Sequence, residues 1–290
     1  MLDLNSYKSD DEIAWCPGCG NFSILQGIKE SLLELGLHPH EVVMVSGIGQ
    51  AAKTPHYLKA NVFNGLHGRA LPPAQAIKMV NKDLKVIVTS GDGDAYGEGG
   101  NHFIHNIRRN VDIVQLVHNN QIYGLTKGQG SPTTSKGHLT SMQFEGTYLD
   151  SLNPLSIAIS AGATFVARSF SVDKEHLKEM IKSAINHKGY ALVEILQPCI
   201  VFNKVNTFKW YKDRVYKLDE NYNPQDRSEA FKKAEEFGDE GIPIGILYLQ
   251  ENKPTYHEAH PVLKSGINLL DRNWKPAMAE KLVDEFFVIS

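Results

Sequence analysis

Five short, continuously apolar runs constrain the fold of this chain more than any other feature. EVVMVSGIG (41–49), LKVIVTS (84–90), VDIVQLVHNN (111–120), TFVARSF (164–170) and ALVEIL (191–196) are rich in β-branched residues and do not alternate with polar ones. Strands of that kind are buried on both faces, which is the condition of a parallel sheet covered by helices. Helical spacing appears between them. Ile24, Leu25, Ile28, Leu32 and Leu35 share one stripe that Gly36 stops, and further helices are expected over Gly100–Arg109, about 154–161 and about 173–187. Strand and helix therefore alternate as crossover units. The expected fold class is α/β, a doubly wound, mostly parallel sheet occupying residues 1–200. Beyond Cys199 the texture changes. FNKVNTFKWYKDRVYKL is aromatic and basic, DRSEAFKKAEEFGDEG suits a charged surface helix, and IPIGILYLQ suits a late strand. Residues 201–290 are expected to form a C-terminal extension packed on the domain or on a partner subunit.

Charge and cysteine count narrow the function. A formal charge of −3 supplies no electrostatic reason for binding nucleic acid or an anionic membrane, and no apolar run approaches the roughly 18 residues of a membrane helix. The opening MLDLNSYKSDDEIAW lacks the basic and apolar regions of a secretory signal. Three cysteines are an odd number and do not build a disulfide framework. A cytoplasmic protein is the expectation.

Two polar clusters fall at strand ends. Gly91, Asp92, Gly93 and Asp94 close the second apolar run, and Asn119 and Asn120 close the third. In an open parallel sheet, ligands bind outside the carboxyl ends of the strands, so Asp92 and Asn120 can converge. A carboxylate beside a neutral amide oxygen suits Mg²⁺, which otherwise keeps phosphate oxygens and water. The glycines let backbone N–H groups approach an anion, and the following helix offers its positive end. GDG alone is a common tight turn. Two such clusters at matching strand ends point to a magnesium diphosphate site.

GDG, a helix, a strand and then NN resembles the thiamine diphosphate signature. GDGDAYGEGGNHFIHNIRRNVDIVQLVHNNQIYGLTKGQGSPTT is similar in detail to the β subunit of 2-oxoacid:ferredoxin oxidoreductases, and the resemblance runs from CPGCG through SGIG, LHGRALPPAQAIKM and SAGATFVAR to PCIVFN and KWYKDRVYKL. It implies the diphosphate-binding type of α/β domain. It also implies Asp92, the side chain of Asn120 and the carbonyl of Ile122 as Mg²⁺ ligands, with Gly91, Gly93, Asp94 and Thr126 at the diphosphate. Gly47, Ile48 and His67 match positions lining the cofactor cavity, and Leu125 and Lys127 match positions beside the 2-oxoacid side chain. A cation at Lys127 suits a second carboxylate and hence 2-oxoglutarate, and a solvated loop lysine is the equal alternative. His102, His105 and His118 are expected to be surface or packing residues, and Arg108 and Arg109 to complement a helix dipole.

The implied reaction is oxidative decarboxylation of a 2-oxoacid to acyl-CoA and CO₂, with coenzyme A as acceptor and one-electron transfer to ferredoxin. It is reversible. The implied partner is an α subunit that bears the pyrimidine-binding domain and the activating Glu. The family holds a [4Fe–4S] cluster on four cysteines, of which this chain supplies Cys16, Cys19 and Cys199. The motif GIGC is here GIGQ, with Gln50 in place of the thiolate. Four outcomes stay open at this point. They are a [4Fe–4S] cluster whose last iron meets Gln50, water or a group such as His56, a three-iron or labile cluster, a zinc ion, or no metal. A cluster-deficient, non-oxidative thiamine-dependent decarboxylase or ligase subunit is the alternative enzyme, and a non-catalytic scaffold subunit is the third reading.

Overall fold

The computed structural model describes residues 2–273, 275–277, 279, 280, 283 and 284. Each apolar run becomes a buried strand. In chain order the strands are β1 (Val42–Ser46), β2 (Asn61–Asn64), β3 (Lys85–Gly91), β4 (Val114–Asn119), β5 (Ile122–Tyr123), β6 (Gln129–Gly130), β7 (Phe165–Phe170), β8 (Ala191–Leu196), β9 (Val215–Lys217) and β10 (Ile242–Leu249). Among the described residues, eight of them form one sheet in the order β2-β1-β3-β4-β8-β7-β10-β9, and β5 and β6 form a separate pair. From β2 to β7 the neighbours are parallel. β10 runs antiparallel to β7, and β9 runs parallel to β10. The extension beyond residue 200 thus contributes two strands to the same sheet.

Successive side chains point to opposite faces of a strand, and here both sets are apolar. Val43 and Val45 of β1, and Val86 and Val88 of β3, pack under helices α2 (Leu71–Val80), α3 (Gly100–Arg109), α4 (Pro154–Ser160) and α7 (Arg227–Glu235). Val42, Met44 and Ile87 turn the other way, under α1 (Asn21–Glu34) and α5 (Lys174–Asn186). A short α6 (Phe208–Lys212) lies between β8 and β9. Helix starts obey capping chemistry: Asn153 and Asp173 accept N–H bonds from Ser156 and His176, each three residues on. α3 ends at Asn110 in the left-handed conformation, φ 51°. Its side chain accepts from Thr164 Oγ1 and the Tyr190 N–H, both at 2.9 Å, so one residue ends a helix and joins two later segments.

β2 carries no comparable sequence signal. NVFN is exposed at every residue and pairs along one edge only.

Two buried polar groups tie the layers together. Arg168 Nε donates to Glu194 Oε2 at 2.9 Å, with side chains 3% and 2% exposed. The same guanidinium reaches the carbonyls of Ala234 and Glu236, and Glu194 Oε1 accepts from Asn119 Nδ2. The extension is therefore fastened to β7, β8 and β4 through one ion pair. His118, on β4, is fully buried; its Nδ1–H donates to Asn21 Oδ1 at 2.8 Å, and burial lowers its pKa to about 3. It is a packing histidine, as expected. His102 and His105 lie on α3.

Removing one partner of a buried pair strands the other charge. Arg168→Met is expected to cost about 3–5 kcal/mol in urea unfolding, and Arg168→Met with Glu194→Gln is expected to recover most of that. His118 gives a pH test. Its unfolded imidazole takes a proton below about 6.5 while the folded one stays neutral down to about 3. Stability is therefore full above pH 6.5 and falls as pH drops toward 3, by up to about 1.4 kcal/mol per unit. Urea midpoints at pH 7 and pH 5 are expected to separate more for the native chain than for His118→Gln.

Candidate thiamine diphosphate and thiol sites

The chain leaves β1 for β2 on one side, then returns to β3 on the other side of β1. Loops leaving β1 and β3 diverge at such a switch point and open a crevice at the carboxyl ends of the strands. Register places the sequence clusters there: Ser46 pairs with Thr89, and Gly91 with His118, so Asp92 and Asn120 emerge side by side. The Asn120 N–H points to Asp92 Oδ1 at 3.4 Å. The crevice is lined by Ile48, Gln50, His67, Gly91 to Asp94, Asn120 and Ile122 to Thr126.

Asp92 is 1% exposed. Its Oδ2 accepts the hydroxyls of Ser131 and Thr133, the latter at 2.7 Å. Burial nevertheless raises its pKa to about 6, because two hydroxyls and an amide do not replace the lost water. A carboxylate in this position calls for a proton or a cation. Asn120 turns Oδ1 toward the N–H of Ile122 at 3.0 Å and Nδ2 toward Gln197 Oε1 at 3.3 Å. The tight bend between them rests on Gln121, a buried non-glycine at φ 58°. Its amide is held by the Thr133 carbonyl and by the Tyr211 hydroxyl of α6. That strain at a loop facing a crevice fits a site whose surroundings hold it in place.

The glycines have separate reasons. A Cβ at Gly47 would stand 2.0 Å from Asp94 Oδ2, and one at Gly93 would stand 2.3 Å from the Tyr123 ring. At Gly91 the nearest obstacle is the His118 carbonyl at 4.0 Å, so glycine keeps the crevice floor open. Helical backbone starts directly at Gly93 as a wide π turn over Gly93–Glu98 before α3. Asp94 lines the crevice, but its bonded partners are protein amides. Its Oδ1 accepts from Ile48 at 3.0 Å and from Gly68 at 2.8 Å, which braces the SGIG and LHGR loops against the GDGD turn.

Three further positions lie at the mouth. Leu125 is 43% exposed, the Thr126 hydroxyl donates to Gln129 Oε1, and His67 is exposed on the opposite lip. Lys127 is exposed, with a left-handed φ of 77°, and lies outside the lining. Ser131, Thr133, Gln121 and Gln197 escaped the sequence reading. The run SPTT (131–134), downstream of the NN cluster, was the available sequence signal for the first two.

A second cavity adjoins the first. Cys16, Cys19 and Cys199 line it together with Gln50, Asn120, Gly124 and Gln197, and Gln50, Asn120 and Gly124 belong to both walls. The CPGC turn closes with the Cys19 N–H on the Cys16 carbonyl at 3.0 Å, with Gly18 at φ 78°, and leads straight into α1. Burial pushes the Cys19 thiol up. Gln50 Oε1 is buried without a hydrogen-bond partner. His56 is exposed and is not part of this lining. Among the described residues, no three His, Cys, Asp or Glu side chains are gathered tightly enough to share a single ion.

Comparison with known proteins matches the fold and identifies the family. Residues 41–195 match the family "Thiamine pyrophosphate enzyme, C-terminal TPP binding domain". Residues 199–265 match the family of the C-terminal region of the pyruvate ferredoxin oxidoreductase beta subunit. The β subunit of 2-oxoacid:ferredoxin oxidoreductase 1 from Aeropyrum pernix is 46% identical over 264 residues, covering 87% of this chain and 83% of that one. The 2-oxoglutarate oxidoreductase subunit KorB of Mycobacterium tuberculosis is 47% identical over 197 residues, 68% of this chain and 53% of that one. A solved 2-oxoglutarate:ferredoxin oxidoreductase from Magnetococcus marinus, with 2-oxoglutarate, coenzyme A and succinyl-CoA bound, superposes with a TM-score of 0.90 at 33% identity, covering 98% of this chain and 95% of that one. This chain belongs to the β subunits of the 2-oxoacid:ferredoxin oxidoreductases.

Proposed function

We propose that this chain binds thiamine diphosphate through Mg²⁺ in the switch-point crevice. With an α subunit it would oxidatively decarboxylate 2-oxoglutarate, pass the acyl group to coenzyme A and send single electrons to ferredoxin, in a reversible reaction. The observation that carries this reading is Asp92, a buried carboxylate raised to about 6 and met by the Asn120 N–H at the neighbouring strand tip. Mg²⁺ restores the balance that burial upsets, since it takes one carboxylate with neutral oxygens. In this reading Asp92, Asn120 Oδ1 and the Ile122 carbonyl hold the ion. Gly91, Gly93 and Thr126 face the diphosphate, Ile48 and His67 line the cavity, and Gly47 lies behind that lining against Asp94. Asp94 serves by bracing, because a carboxylate has no donor for a diphosphate oxygen. The bound cofactor supplies the electron sink for decarboxylation.

Leu125 and Lys127 meet the substrate side chain in this reading, with Lys127 pairing a distal carboxylate from the mouth. The relatives named for 2-oxoglutarate, and the neighbour that holds 2-oxoglutarate and coenzyme A, support that substrate. Exposed Phe63, Leu66 and Leu125 supply apolar surface for a partner subunit. The pyrimidine-binding domain and the activating Glu come from the α subunit.

An iron–sulfur cluster occupies the thiol cavity in the same proposal. Three cysteines facing one cavity suit an iron–sulfur cluster. Thiolates are the normal ligands of such clusters, and Gln50 Oε1 is the oxygen available at the fourth corner. The shared wall of Gln50, Asn120 and Gly124 makes a short route for electrons. Gln50 also supports a second reading, a cluster-deficient non-oxidative decarboxylase.

Anaerobic co-expression with the α subunit separates the two. About four irons per chain and CoA-dependent viologen reduction, fastest with 2-oxoglutarate, are expected. Free aldehyde from an iron-free complex would select the second reading. Asp92→Asn is expected to weaken Mg²⁺-dependent thiamine diphosphate binding by more than the roughly 10–100-fold that loss of an outer partner costs, measured by calorimetry. Native affinity in that variant would remove Asp92 from the metal site.

A further inference from the structure

Gln197, just after β8, is 1% exposed, lines the thiol cavity and bonds Asn120, a residue of the wall that the two cavities share. Its Oε1 accepts from Asn120 Nδ2 at 3.3 Å, and its Nε2 donates to Cys19 Sγ and to the Pro198 carbonyl, each at 3.3 Å. Reversing the amide would set an oxygen against a sulfur and a carbonyl oxygen, and one NH₂ group against another. One orientation alone satisfies all three partners. The backbone places it firmly, with the Gln197 N–H on the Asn119 carbonyl at 2.9 Å. Gly20, beside the CPGC turn, makes the space: a Cβ there would come within 2.9 Å of Gln197 Cγ.

We propose that Gln197 is a positioning residue shared by the two sites, holding the Asn120 amide so that its oxygen, which already accepts the Ile122 N–H, is the atom presented to the cation, and hydrogen-bonding the sulfur of Cys19. This rests on the cofactor and cluster reading above. If Gln197 offered no acceptor, the Ile122 N–H on Oδ1 would be the one remaining hydrogen bond opposing a turn of the Asn120 NH₂ group toward the ion. Outer partners of this kind set metal affinity by fixing which atom the ligand presents. At the sulfur, an N–H donor stabilises the more negatively charged state, so it favours the thiolate and raises the reduction potential of a cluster bound there. One side chain thereby couples the residue that anchors the cofactor to a residue that carries the electrons.

Two variants divide these roles. Gln197→Leu removes both bonds. Gln197→Glu keeps an acceptor for Asn120 Nδ2 and, when ionised, has no donor for Cys19. In the anaerobically prepared complex with the α subunit, Gln197→Leu is expected to weaken thiamine diphosphate binding at fixed Mg²⁺ by about 10–100-fold and to shift the cluster potential negative in an EPR-monitored redox titration. Gln197→Glu is expected to keep binding within a few-fold and to shift the potential negative at least as far. Equal loss of binding in both variants overturns the acceptor role, and an unchanged potential in both overturns the sulfur role. If the native complex contains no iron, the cluster reading fails and takes the sulfur role with it. The thiamine diphosphate titration then still decides the acceptor role.

Discussion

Asp92 is a carboxylate with almost no water around it, and the surrounding loops are arranged to keep it that way. Ser131 and Thr133 donate to it from a later loop, Asn120 approaches from the next strand, and burial still leaves it raised to about 6. A buried acid that is only partly compensated holds a favourable position for a divalent cation. Without the crossing of β1, β2 and β3 there would be no crevice for it to face.

The same geometry explains why two sites share one neighbourhood. The CPGC turn starts α1, whose first residue, Asn21, is bonded to His118 of β4. Cys199 follows β8, the neighbour of β4. The thiols thus arrive beside the strand that ends in Asn120, and Gln50 arrives from the loop after β1. Three elements remote in sequence meet because parallel strands all end on the same side of the sheet. A cofactor and an electron carrier built on adjacent strand ends need no further scaffold.

Much of this was legible in the residues. The continuous apolar runs marked β1, β3, β4, β7 and β8 to within a few residues, and Gly100–Arg109 marked α3. GDGD and NN marked the two strand tips. β2 was not legible, because an exposed edge strand buries no side chain and so carries no hydrophobic pattern. Asp94 lines the crevice expected from its place in GDGD, and only the tertiary structure shows that its Oδ1 is bonded to the amides of Ile48 and Gly68. Lys127 was expected beside the substrate and stands outside the crevice lining. His56 was one candidate for the last cluster corner and lies elsewhere. In each case the residue type was informative and the direction of its side chain was not.

The sequence alone determined the class of sheet, the two polar strand ends and the count of three thiols with Gln50 beside them, since burial and ligand chemistry act on residue identity. Only the tertiary structure decided that the cavities of the thiols and of the carboxylate share a wall, that Asp94 braces and that Gln197 bonds both Asn120 and Cys19. Those facts depend on strand order and register, which bring together residues from 26 to 178 positions apart. No local pattern encodes such a pairing, because its energy exists only once the sheet has formed.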